Sequence, residues 1–284
     1  MAGPIGAALS WMLALAGLQR PEPAPSTAGG DDHLADASPL WDGGRYLAAT
    51  WSPIHPGRVG RAIKPWLAVV HTTDMHPSTF GPLLRRWTAV RDRGAGAHFL
   101  LGRSSADGLH QLVSCDRNGN HAGGETHGWL RVRGAEVHPN TVSVGIEVHC
   151  AGNVIRRGGR WWCWQRDKVS RELVPIGEPL PDVDVEPDPA HAGRGWHRPT
   201  AYQLAELERL LYALGNCPAV VPSPPPASWG IAPNGPQHLP AWAPQVMIGT
   251  LPVVGHCTLD PADKTDPGPV MSRWIGGLGV SPPR

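Results

Sequence analysis

Along the 284-residue chain, short apolar runs alternate with long stretches rich in Gly and Pro. Trp66-Leu-Ala-Val-Val70 is an unbroken apolar run that ends at His71. Such a run, bounded by polar residues, predicts a buried strand. Pro77 to Val90 places Phe80, Leu83, Leu84 and Trp87 at helical spacing behind Pro and Ser start signals, and predicts a helix. His98-Phe-Leu-Leu101 predicts a second strand, and Leu109 to Val113 a short, hairpin-like third. Thr141 to His149, TVSVGIEVH, is β-branched and predicts a strong strand. Thr200 to Leu214 is the clearest amphipathic helix, with Leu204, Leu207, Leu211 and Leu214 on one face and Gly215 at its end. Leu251 to Gly255 reads as a strand leading into His256.

The segments between these elements set the domain organisation. Residues 4–18, PIGAALSWMLALAGL, have the length of a secretory h-region, but no Lys or Arg precedes them and no clean A-x-A site follows before the Pro-rich run. Export or anchoring, a docking helix and a partner- or delivery-system-binding helix all remain open for this segment. Residues 20–38 read as a Pro/Gly-rich linker. We therefore divide the chain into an N-terminal segment, 1–45, and a globular domain, 46–284. Insertions are expected near 151–199, with its Trp161-Trp162-Cys163-Trp164 cluster, and near 218–248. The tryptophans of that cluster either stack on sugar rings or form a satellite core; Trp66, Trp87 and Trp274 are expected in the main core.

Composition narrows the function classes. A net charge of +1 gives no electrostatic case for nucleic acid. Past the N-terminus no apolar run reaches the roughly 18 residues of a membrane span. Five cysteines without a C-x-x-C pair argue against a Cys-rich zinc knuckle and favour buried thiols; a Cys150–Cys163 bridge is compatible with the count.

Among 14 histidines, His71 and His256 stand out because each follows an apolar strand. A side chain there is held by a rigid element yet reaches the rim of a sheet. Asp266 follows in Asp263-Lys264-Thr265-Asp266-Pro267-Gly268. Two imidazoles and a carboxylate are three protein ligands, which leaves a fourth tetrahedral position open, as in catalytic zinc sites. Glu147 lies inside a strand between Ile146 and Val148, where a carboxylate is costly without a role; general base is such a role. Lys264 supplies an ammonium near Asp266, suited to a developing oxyanion. It is one of only three lysines among 25 basic residues.

These blocks resemble a family. WLAVVHTT around His71, GAHFLLGR around His98, NGNHAGG around His121, NTVSVGIEVHCAG around Glu147 and VVGHCTLDPADKTDPGP around His256 occur in the order found in zinc-dependent N-acetylmuramoyl-L-alanine amidases of the type-2 amidase and peptidoglycan-recognition-protein superfamily. The resemblance implies an α/β fold, a central mixed β-sheet flanked by α-helices with surface insertions. It implies Zn2+ held by His71, His256 and Asp266, with Lys264 assisting at the oxyanion. Some phage members carry a catalytic Tyr where this chain has Ala97; others use a Glu in the GIE block, which points to Glu147 as the base. His121, Asn120 and His98 are implied in the substrate groove. The implied activity is hydrolysis of the bond joining N-acetylmuramic acid to L-alanine, with peptidoglycan or muropeptides as partners. Lysin, effector and wall-remodelling roles fit this, as does cytoplasmic muropeptide recycling. A non-catalytic peptidoglycan receptor is the alternative on the same fold.

Overall fold

The computed structural model describes residues 40–89, 96–122, 130–166, 170, 172–223, 229–231, 245–259 and 266–278. The chain divides into two units, Met1–Ser38 and Pro39–Arg284, and every described residue lies in the second. The apolar segment 4–18, the linker 20–38, Lys264 and most of the 218–248 insertion fall outside the described residues.

The strands used below are β1 (Thr50–Trp51), β2 (Leu67–Thr72), β3 (Phe99–Leu101), β4 (Leu109–Gln111), β5 (Ser143–Val148), β6 (Asn153–Arg157), β7 (Arg160–Arg166), β8 (Leu173–Leu180), β9 (Val185–Pro187), β10 (Arg194–His197), β11 (Gln245–Ile248) and β12 (Leu251–Gly255). The helices are α1 (Phe80–Thr88), α2 (Ala201–Leu214), α3 (His256–Leu259) and α4 (Gly268–Leu278).

A seven-stranded mixed sheet runs in the order β11-β12-β2-β5-β3-β4-β1. Its centre is parallel: β12 with β2, β2 with β5, and β5 with β3. The hairpin β3–β4 and the β11–β12 pair are antiparallel. All six residues of β2 and of β5 are buried, as expected for parallel strands covered on both faces. Period-two alternation divides their side chains. Ala68, Val70, Val144, Ile146, Val148, Phe99 and Leu101 join Leu207, Leu210, Leu211 and Leu214 of α2, and Met271 and Ile275 of α4, in one core. On the other face, Leu100 packs with Phe80, Leu83 and Trp87 of α1, while Leu67, Val69 and Val254 pack with Trp66 and Leu259.

Helix α2 begins at the predicted place because Thr200 and Gln203 form a capping box. The Gln203 amide then donates to the His149 carbonyl at 2.9 Å, tying the helix start to the chain just beyond β5.

The segment after β5, where an insertion is expected from the sequence, is a five-stranded antiparallel sheet, β8-β7-β6-β10-β9. Gly158 and Gly159, at φ of 59° and 77°, make its first hairpin turn between the paired residues Arg157 and Arg160. Positive φ at both central positions is the type I′ requirement, met here without side-chain strain. Trp161 and Cys163 lie inside a satellite core with Val154, Leu180 and Val185; Trp162 and Trp164 are half-buried on the alternate side. All five cysteines are buried free thiols. Among the described residues, no helix is long and apolar enough to cross a membrane.

Candidate metal centre

His71 is the fifth residue of β2, and His256 directly follows β12. The two strands are parallel neighbours with Gly255 opposite Val70, so their carboxyl ends deliver both imidazoles to the same rim. Asp266 arrives from the segment before α4. Its carbonyl accepts from Cys257 N at 2.8 Å, which pins it against the start of α3.

The three side chains converge and are buried. His71 Nδ1 lies 3.0 Å from His256 Nδ1, and Asp266 Oδ2 lies 3.2 Å from the first and 3.3 Å from the second. A tetrahedral zinc with bonds of about 2.0–2.1 Å has ligand-to-ligand edges of about 3.3–3.4 Å. The three edges approach that triangle, and two imidazole nitrogens with one carboxylate oxygen are a normal donor set for such an ion. Burial alone would raise the Asp266 carboxyl. Hydrogen bonding and charge from His256, with the adjacent His71 imidazole, outweigh it and hold the group well below the usual carboxylate range.

Glu147 is the register partner of His71 on β5, and Leu100 of β3 lies opposite it on the other side. Its side chain therefore leaves the same sheet face as His71, and it is 7% exposed.

His121 lies beneath the cluster. Its Nδ1 is 3.0 Å from His71 Nε2, and its Nε2 is 3.1 Å from Ser143 Oγ. Burial, reinforced by the adjacent His71, pushes its imidazole well below the ordinary range. His98 is fully buried beyond it. His98 Nε2 donates to the Arg117 carbonyl at 2.8 Å, and its Nδ1 accepts from Gly145 N at 3.0 Å. Burial lowers this ring to about 4. Asn120 is exposed, with its Oδ1 accepting from Asn140 Nδ2 at 3.3 Å.

The sequence-predicted residues His71, His256, Asp266, Glu147 and His121 thus come together, with His98 behind them and Asn120 at the surface. Ser143, Gly145 and Asn140 are additional parts of the site that the sequence reading did not single out. Asn140 Oδ1 accepts from the backbone N–H of both His121 and Ala122, at 3.2 and 2.8 Å. For Ser143 and Gly145 the available signal was the polar or small residue at every second position of an apolar strand: Ser143, Gly145, Glu147.

Fold and site together define an α/β domain with a buried two-histidine, one-aspartate metal-type cluster at the carboxyl ends of parallel strands. The sequence profile of the N-acetylmuramoyl-L-alanine amidase family, Amidase_2, matches residues 61–269, and the chain belongs to that family. A search of curated proteins returns no match. Among solved structures, the chain is similar to the N-acetylmuramyl-L-alanine amidase AmiD from E. coli, in complex with anhydro-N-acetylmuramic acid-L-Ala-D-gamma-Glu-L-Lys. That likeness has 19% identity and a TM-score of 0.39, over 79% of this chain and 61% of the other. AmpDH3 from Pseudomonas aeruginosa gives 18% identity and a TM-score of 0.38 over 78% and 62%. A mutant endolysin from Bacillus subtilis gives 23% and 0.28 over 36% and 60%. The chain spans about three fifths of the length of these structures. The family assignment rests on the profile match alone.

Proposed function

We propose that this chain is a zinc-dependent N-acetylmuramoyl-L-alanine amidase. It hydrolyses the amide between the lactyl group of N-acetylmuramic acid and L-alanine of a peptidoglycan stem peptide. The observation that carries this reading is the convergence of His71, His256 and Asp266, with ligand atoms within 4.8 Å of one another, in a chain of this family. Two imidazoles favour zinc over magnesium or calcium, which prefer oxygen ligands.

When bound, zinc supplies Lewis acidity, polarising a carbonyl and acidifying water. The remaining steps belong to the chain. The Glu147 carboxylate takes a proton from the attacking water and returns it to the alanine nitrogen as the C–N bond breaks. Lys264 is assigned to the oxyanion, where a compact ammonium stabilises developing charge. Asn120 is assigned to the groove wall; His121 and His98, expected in the groove with it, are buried, with both ring nitrogens of each hydrogen-bonded within the protein.

Digestion of purified sacculi tests this. Zinc-loaded protein should release sugar-free stem peptides that begin at L-Ala, identified by mass spectrometry. Chelation should stop release and added zinc restore it. Peptides cut within the stem, or muropeptide binding without release, would sink the proposal.

A further inference from the structure

The metal cluster continues inward as a chain of hydrogen bonds whose direction is fixed at its far end. The Pro139 carbonyl can only accept. It takes the Ser143 hydroxyl proton at 2.7 Å and the Val142 N–H at 3.0 Å. With its one proton committed, Ser143 Oγ accepts the bond at 3.1 Å, so His121 Nε2 is the donor. A neutral imidazole carries one N–H and one lone pair. His121 Nδ1 is therefore the acceptor in the 3.0 Å contact, and His71 Nε2 donates to it. By the same count, the lone pair of His71 is left on Nδ1, the atom that faces His256 Nδ1 and Asp266 Oδ2.

The ring of His121 has little freedom to break this order. A Cβ on Gly145 would stand 2.2 Å from His121 Cγ, so the imidazole rests directly on bare backbone. Asn140 Oδ1 holds the His121 and Ala122 N–H groups from the other side. The His71 and His121 rings meet edge to face, with planes 78° apart.

We infer that Ser143 and His121 are positioning residues that set the tautomer of His71, presenting Nδ1 as the ligating nitrogen before any metal arrives. This rests on the reading of His71, His256 and Asp266 as a metal site. Outer partners of ligating histidines fix ring orientation and typically change metal affinity by about 10–100-fold when removed.

The test uses the full chain, with zinc as the probe. Long-range proton–nitrogen NMR of metal-free wild type should find the His71 proton on Nε2. Ser143→Ala should weaken zinc binding about 10–100-fold in a chelator competition and move the His71 proton to Nδ1 in part or in full. Ser143→Thr, which keeps a hydroxyl, should restore both. If Ser143→Ala does not fold, the wild-type tautomer decides. A zinc-binding wild type whose metal-free form carries the proton on His71 Nδ1 overturns the inference and leaves the metal site standing. Wild-type zinc affinity in folded Ser143→Ala overturns it equally. A wild type that takes up no zinc removes the metal site, and the inference with it.

Discussion

Glu147 stands in register with His71 across two adjacent parallel strands, so the carboxylate and the imidazole leave the sheet on the same face. Strand pairing sets this relationship, so it does not depend on a loop. The Glu147 side chain should therefore be removable without disturbing the ligands.

Glu147→Gln conserves shape and removes the base. It should lower kcat by about 10²–10⁴, the usual contribution of a positioned general base. Zinc content should stay at that of wild type, because no ligand changes. Steady-state rates on a soluble muropeptide, paired with metal analysis of the same sample, check both halves. A variant as active as wild type would assign the base elsewhere.

Removal of a ligand should separate from removal of the base. In wild type, zinc at about 100 times its Kd should add about 2.7 kcal/mol of stability by mass action. Asp266→Ala takes away the carboxylate that both histidines contact. Zinc should then no longer raise its Tm, whereas Glu147→Gln should respond like wild type. Thermal denaturation with and without zinc gives the comparison.

Much of this site was legible in the sequence, for a physical reason. His71, Glu147 and His256 are polar residues within or just after unbroken apolar strands, positions where burial without a role is costly. Sheet order placed those strands side by side. Ser143 and Gly145 were not legible as site residues, because what they do depends on a contact with His121, 22 positions from Ser143. The sheet β6 to β10 was hidden by Gly158, Gly159, Pro175 and Gly177, which interrupt apolar alternation and read as punctuation. In the structure, Gly158 and Gly159 form a hairpin turn and the other two lie within β8.

Acid should destabilise the metal-free domain in a defined window. Burial lowers His98 from its ordinary 6.5 to about 4. Between those values the unfolded chain binds the proton and the folded chain does not. Unfolding therefore takes up protons, and stability falls as pH falls through that range. The limiting loss from this group is about 3 kcal/mol, and below about pH 4 it adds nothing more. His197, which burial lowers to about 3, extends the same trend to lower pH. Urea denaturation of chelated protein at several pH values should show the slope, and His98→Gln should make it shallower between pH 6.5 and 4, with the buried His121 and His197 supplying the remainder.

Gly145→Ala probes the floor of the site rather than its rim. Gly145 sits in the middle of β5, where alanine suits the strand backbone better than glycine does. On propensity alone the substitution should therefore be neutral or mildly stabilising. The structure predicts the opposite sign. The added methyl would meet His121 Cγ at 2.2 Å and other atoms of that ring at 2.6 Å. The ring cannot retreat freely, since it is bonded to His71 on one side and Ser143 on the other. Overpacking of this kind costs about 1–3 kcal/mol. Because the displaced ring supports a metal ligand, zinc affinity should fall together with stability. Denaturant midpoints and zinc competition on the same variant test the pair. A Gly145→Ala protein as stable as wild type and with unchanged zinc affinity would show that His121 does not rest on Gly145.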